Sequence, residues 1–204
     1  MTGKRENEID FGRYRMIVLK LRRGAILTLV VLAMLPDASQ AASGQPWVLV
    51  DTEKLVLTVY AADGQVIARF PDISIGSGGT AREHLHGDDT TPLGTFHVGW
   101  IDRRSRFRTF FGLDYPTAHA ALHAYADGTI TARQCRAITD AAHLHRIPPQ
   151  NTPLGGQIGI HGVGGGLPWV QGNFNWTDGC VALTNREIGQ LAKWVHVGTK
   201  VVIR

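Results

Sequence analysis

The chain has little to staple it with: two cysteines, Cys135 and Cys180, in 204 residues. It offers at most one disulfide, and about 160 residues of folded domain bury a real core without one. It also lacks an apolar run long enough to cross a bilayer. The longest, "GAILTLVVLAML" at residues 24–35, is twelve residues, where a spanning helix needs about 20. No internal repeat and no low-complexity segment interrupts it. Once the start of the chain is set aside, an excess of one charge is missing as well. Of 21 Lys+Arg and 17 Asp+Glu, residues 1–41 hold seven and four, leaving a nearly neutral 14 against 13. The basic pI therefore argues for no nucleic-acid partner.

The short apolar run has a use. It follows "KLRR" and precedes "PDASQAAS", with small residues Ser39 and Ala41 at the positions before a cut. This is the pattern of a secretory signal peptide over residues 1–41. An uncleaved anchor is the alternative, giving a membrane contact through the leader alone, and Met16 offers an internal start. On either reading residues 45–204 form one domain that works outside the cytoplasm, in the cell envelope or periplasm.

That domain reads as mainly β with inserted helices. "WVLVD" and "LVLTVY" are rich in strand formers, and Asp63-Gly64 turns the chain into "QVIARF". "DISIG", "TFHVGW", "QIGIH" and "KVVIR" are further strand candidates. Residues 117–145 predict two helices broken at "ADGT". In the second, Thr131 and Gln134 have capping-box spacing, and Cys135, Ile138 and Ala142 share a face. Cys135 is thus a buried helical thiol, and Cys180 stays free. Thr184 and Glu187 cap a last helix that buries Ile188, Leu191 and Val195 and ends at Gly198.

Between the last two strand candidates lies "GIHGVGGGLPWVQGNFNWTDGCVALTNREI". A thiol with a pKa of about 8.5 needs help to ionise, and a nearby imidazole gives that help and later protonates a leaving amine. Gly179 permits a sharp bend that turns the Gly179 and Cys180 N–H groups toward an oxyanion, worth about 3–4 kcal/mol per donor. Gly162 and Gly164 through Gly166 leave room for a substrate backbone, and Trp169, Phe174 and Trp176 wall the cleft. On these residues alone two readings stay open. Cys180 and His161 are a catalytic pair, or Cys180 is a small buried hydrophobe that shares a loop with a strand-end histidine.

The same stretch resembles the L,D-transpeptidase (YkuD-type) signature of His-Gly, a spacer, then Ser/Thr-x-Gly-Cys, with 15 residues between His161 and Thr177. "VDTEKLVLTVY", "GDDTTPLGTFHV", "FGLDYPTA" and "GGQIGIHG" extend the likeness over most of residues 47–204, which is most similar to the murein YafK-like branch. The resemblance implies a β-sandwich or barrel-like core and action on peptidoglycan stem peptides, with no cofactor and no metal. It makes Cys180 the nucleophile, His161 the general base and acid, Thr177 a supporting hydroxyl and Gly179 an oxyanion N–H donor. The implied reaction forms a thioacyl-enzyme from a tetrapeptide stem, releases D-alanine, and passes the acyl group to an acceptor amine. A wall-linked lipoprotein is one such acceptor. Water is the other, as in a carboxypeptidase or an amidase that frees wall proteins.

Two departures stand out. Ala182 occupies a position where the family usually has Arg, as in a branch that includes hydrolases, and Asp178 must point to solvent if the thiolate is not to be disfavoured. A wall-binding module without catalysis and a zinc peptidase are the remaining alternatives. "RRSRFR" at 103–108 is expected to be a solvated loop face. His84, His86, His143 and His145 are expected at the surface. Asp88 and Thr91 are expected to order a loop beside the cleft.

Overall fold

A computed structural model describes residues 44–204 except Leu167, together with the backbone of two short strands near the start. Those strands, β1 (Asp10–Phe11) and β2 (Tyr14–Arg15), pair antiparallel with each other. The leader expected over residues 1–41 otherwise lies outside the described residues.

Runs of β-branched and apolar residues set the main sheet. β3 (Trp47–Asp51), β4 (Val56–Tyr60) and β5 (Val66–Phe70) form an antiparallel meander whose Val48, Val50, Leu57 and Val59 are fully buried. The turn at Asp63-Gly64 follows the sequence expectation, with Gly64 at φ +85°. After a small parallel pair, β6 (Thr80–Ala81) and β7 (Thr91–Pro92), comes the long β8 (Gly94–Asp102). The first half of β8 pairs with β12 (Lys200–Ile203) and its second half with β9 (Phe110–Leu113), with a bulge between Val98 and Trp100. Such a bulge bends a strand and strengthens its twist, so one strand serves both halves of the sheet. β10 (Gly159–Gly162) and β11 (Val181–Leu183) complete the eight-stranded order β11-β10-β9-β8-β12-β3-β4-β5.

The two edges of the sheet are linked by the chain that follows β5. Leaving β5, the chain reaches the far edge, where Ser74 exchanges both backbone hydrogen bonds with Ala182 of β11 (3.0 and 2.8 Å). "DISIG" therefore contributes isolated bridges at Ser74 and Gly76 rather than a full strand. This edge contact fits the expected mainly β, sandwich or barrel-like architecture.

Helices α1 (Ala118–Ala126) and α2 (Ala132–His143) are the inserted pair, broken at the expected place. The α2 capping box forms, and Cys135 and Ile138 are buried. The third buried position is Ala141, not Ala142. The buried stripe runs along the i, i+3, i+6 row 135, 138, 141, so the packed face is rotated away from the i, i+7 row that would have included 142. α3 (Asn185–Leu191) also has its capping box, but ends two turns before Gly198. Residues 192–198 continue as turns that still bury Val195. Among the described residues no helix is long and apolar enough to cross a membrane.

Candidate functional site

β10 and β11 run parallel in the register Ile160↔Val181 and His161↔Ala182. Side chains alternate along a strand, so Ile160 and Val181 enter the core, at 0% and 1% exposure. His161 and Cys180 then project from the opposite face. Strand spacing and rise put their Cα atoms about 8 Å apart on a diagonal, and both line one cavity of about 710 Å³.

His161 is held in one tautomer. Its Nδ1 lies 2.7 Å from Gly162 O, and a carbonyl only accepts, so Nδ1 carries the proton and Nε2 keeps its lone pair. The ring is 2% exposed. Phe107 stacks on it at 4.2 Å and Phe110 at 5.9 Å, while Trp176 meets its edge at 5.8 Å. Burial in this aromatic sleeve lowers the imidazole pKa. The Gly162 carbonyl and Asp178 act against that, and Arg106 adds to it.

The Cys180 thiol donates to Gln157 O at 3.3 Å. Burial pushes it up to about 12, with Asp178 adding to the rise and the Gly159 backbone opposing it. Both shifts favour the neutral thiol and the neutral imidazole. Asp178 is exposed, but it lines the same cavity as Cys180 and disfavours the thiolate, so the expectation that it turns away from the thiol does not hold.

Thr177 makes the turn that presents Cys180. Its hydroxyl donates to Cys180 O at 2.6 Å and accepts from Gly179 N at 3.3 Å. In this state the Gly179 N–H is thus turned to Thr177 rather than to the cavity. Gly179 sits at φ +119°, and a Cβ there would lie 2.6 Å from Thr90 O and 3.1 Å from His84 Nδ1. No other residue fits. Thr91 fixes the turn from behind, donating to Gly179 O at 2.9 Å and accepting from Gly76 N at 2.8 Å. Asp88 accepts from the N–H groups of Leu85 and Thr90 at 2.8 and 2.9 Å. Partial burial works to raise its pKa, but these donors and His84 hold it below the ordinary carboxylate value. Both residues order the loop beside the cleft, as expected.

Three further expectations need correction. His84 is buried, not at the surface; its Nδ1 contacts Thr90 O (2.8 Å) and Asp88 Oδ1 (2.9 Å), behind Gly179. His86, His143 and His145 are exposed. Gly162 and Gly164 admit the protein's own backbone rather than a substrate's. A Cβ would lie 2.9 Å from Phe107 O at Gly162 and 2.1 Å from Arg106 O at Gly164. Trp169 and Phe174 pair with each other at 6.1 Å, are 60% and 58% exposed, and do not line the cavity; Trp176 does.

The loop at 103–108 was the residue group missed. Its Arg106 and Phe107 line the cavity, and Gly162 N donates to Phe107 O at 3.2 Å. An aromatic interleaved with arginines was the available signal.

A family model described as the YkuD L,D-transpeptidase catalytic domain matches residues 45–203. Among solved structures the chain is similar to the helical cell shape determining protein Pgp2 from Campylobacter jejuni, at 20% identity and TM-score 0.52, covering 78% of this chain and 47% of that one. It is similar to Bd1075 from Bdellovibrio bacteriovorus at 20% identity and TM-score 0.51, covering 79% and 48%. An L,D-transpeptidase from Mycobacterium smegmatis matches at 18% identity and TM-score 0.42, covering 78% and 58%. The chain spans about half the length of the first two. No curated protein matches it significantly.

Proposed function

The chain belongs to the YkuD L,D-transpeptidase catalytic-domain family, and on that premise we propose that residues 45–204 act as a cysteine acyltransferase on peptidoglycan stem peptides outside the cytoplasm. The observation that carries the reading is the fixed tautomer of His161, which leaves Nε2 with its lone pair on a residue that lines the same cavity as Cys180.

Cys180 is the nucleophile and His161 the base. Because both rest neutral, the thiol proton passes to Nε2 as sulfur attacks the carbonyl of the third stem residue, not beforehand. The Cys180 N–H faces the developing oxyanion. Gly179 N–H joins it by giving up its long bond to Thr177, whose hydroxyl keeps its grip on Cys180 O. The imidazolium then returns its proton to the nitrogen of the departing D-alanine, leaving a thioester on Cys180. An incoming amine, or water, is deprotonated by His161 and attacks that thioester, and the thiol is restored with the same proton. No step requires a metal or an organic cofactor.

Transfer to an amine is the first reading. Hydrolysis is the second, supported by Ala182, which is fully buried with its carbonyl accepting from Ser74 N and Gln171 Nε2, so β11 sends no cation into the cavity. Incubation of the full chain with disaccharide-tetrapeptide, read by mass spectrometry with Cys180→Ala as control, separates them. A cross-linked dimer short of one D-alanine means transfer, and tripeptide alone means hydrolysis. Products that persist in Cys180→Ala, or none from isolated peptide and intact sacculi alike, would sink both readings.

A further inference from the structure

The family's usual Arg after the cysteine is missing here, yet the cavity has a cation of its own. Arg106 lines both the cavity that holds Cys180 and a neighbouring one of about 420 Å³ with Phe107 and Trp176. Its guanidinium lies 4.7 Å from the Phe107 ring centroid, and Phe107 stacks at 4.2 Å on His161. The two spacings put the charge on the order of 9 Å or less from the imidazole, since a straight stack is the longest case. The backbone beneath it is fixed, because Gly164 admits Arg106 O at a distance no Cβ would tolerate. The side chain is exposed, and among the described residues no carboxylate lies within 4.0 Å of it. Asp89, Asp102 and Asp178 also line this cavity and repel a carboxylate near them, and Arg106 is the one Arg or Lys among its lining residues.

We propose that Arg106 is the specificity residue that binds a carboxylate of the donor peptide, taking over from the absent Arg at position 182. A planar guanidinium with a free fork is suited to grip a carboxylate with two parallel hydrogen bonds. Two carboxylates of such a peptide are candidates: the one on the leaving D-alanine and the distal one of a diaminopimelate side chain. The proposal rests on the peptidoglycan reading above, so its test includes a measurement that does not depend on turnover.

Four tetrapeptides serve as probes: C-terminal acid or amide, each with diaminopimelate or lysine at the third position. Binding is measured in the Cys180→Ala full chain, with and without Arg106→Gln, and turnover in the chain with Cys180 intact. Arg106→Gln is expected to weaken binding of the carboxylate-bearing probe by about ten- to a hundredfold, and to raise KM more than it lowers kcat. The probe lacking the relevant carboxylate binds weakly in both proteins, and the substitution does not change it. Which pair of probes shows the difference identifies the carboxylate. Arg106→Lys recovers part of the loss, while Arg104→Gln, outside both cavities, changes nothing. An equal loss for all four probes, no loss, or no measurable binding of any probe would overturn the assignment. If binding discriminates but the intact enzyme turns over none of the probes, the anchor stands and the acyl-transfer reading fails.

Discussion

Thr177→Val tests whether the cysteine turn is held by one hydroxyl. Valine keeps the shape of threonine and deletes its oxygen, which bonds Cys180 O at 2.6 Å and Gly179 N at 3.3 Å. Thr177 is 3% exposed, so water does not readily replace it. Each stranded backbone group costs about 1–3 kcal/mol. The Gly179 bond is long and belongs at the low end, which gives a total of about 2–4 kcal/mol. For a domain of this size each kcal/mol moves Tm by about 2–4 °C, so a fall of roughly 4–16 °C is expected. Thermal unfolding of the full chain, followed by circular dichroism, measures it. Activity on disaccharide-tetrapeptide should fall more steeply than stability, since the same hydroxyl sets where Cys180 points. Thr177→Ser keeps the oxygen, loses one methyl, and should stay within about 1 kcal/mol of the parent. A Val variant as stable as the parent, or a Ser variant as damaged as Val, refutes the argument.

Three further outcomes follow from the same geometry. Alkylation of Cys180 by iodoacetamide should be slow at pH 7 and keep rising beyond pH 9, because burial holds the thiol up to about 12; a plateau near pH 6–7 would instead reveal a preformed thiolate–imidazolium pair. Stability should decline on both sides of neutrality. The pKa of His161 is lowered by folding, so the unfolded chain takes up a proton first as pH falls through about 6.5, whereas the raised Cys180 makes the unfolded chain ionise first as pH rises above about 9. Urea titrations of parent, His161→Gln and Cys180→Ala across pH 5–10 would show each variant flattening its own limb, and unchanged limbs would disprove the linkage. Gly164→Ala places a Cβ 2.1 Å from Arg106 O at φ +69°. It should displace the 103–108 loop and cut activity at least tenfold with the far-UV spectrum retained; parental kcat/KM would show that the loop does not order His161.

What could be seen in the sequence is what short-range patterns encode. Thr131 with Gln134, and Thr184 with Glu187, placed two helix starts because a capping box lies within four residues. Strand-forming composition found β3 and β12, and the Cys180 motif could be read because strand, turn and helix follow one another directly. The end of α3 was misplaced because Gly198 marks a turn seven residues beyond the last helical residue, with Val195 still buried between them. Contacts across the fold were invisible. Nothing near His84 announces that it will be packed behind a glycine 95 residues away. The aromatic among the arginines of "RRSRFR" marks the loop but not its partner, since Phe107 covers His161 only once β8, β9 and β10 are aligned. Trp169 and Phe174 misled for the opposite reason: their composition suggested a wall, but the loop pairs them with each other.

The raised pKa of the half-buried Cys180 also bears on how long the protein lasts. Oxidants and disulfide exchange consume thiolates, not thiols. With the group pushed up to about 12, little thiolate exists at neutral pH. A nucleophile stored as its acid, and ionised only while a carbonyl stands ready to receive it, is sheltered from peroxide and stray disulfides between turnovers. Slow attack by small electrophiles and a long working life under oxidising conditions are then one property, set by the surroundings that keep the sulfur protonated.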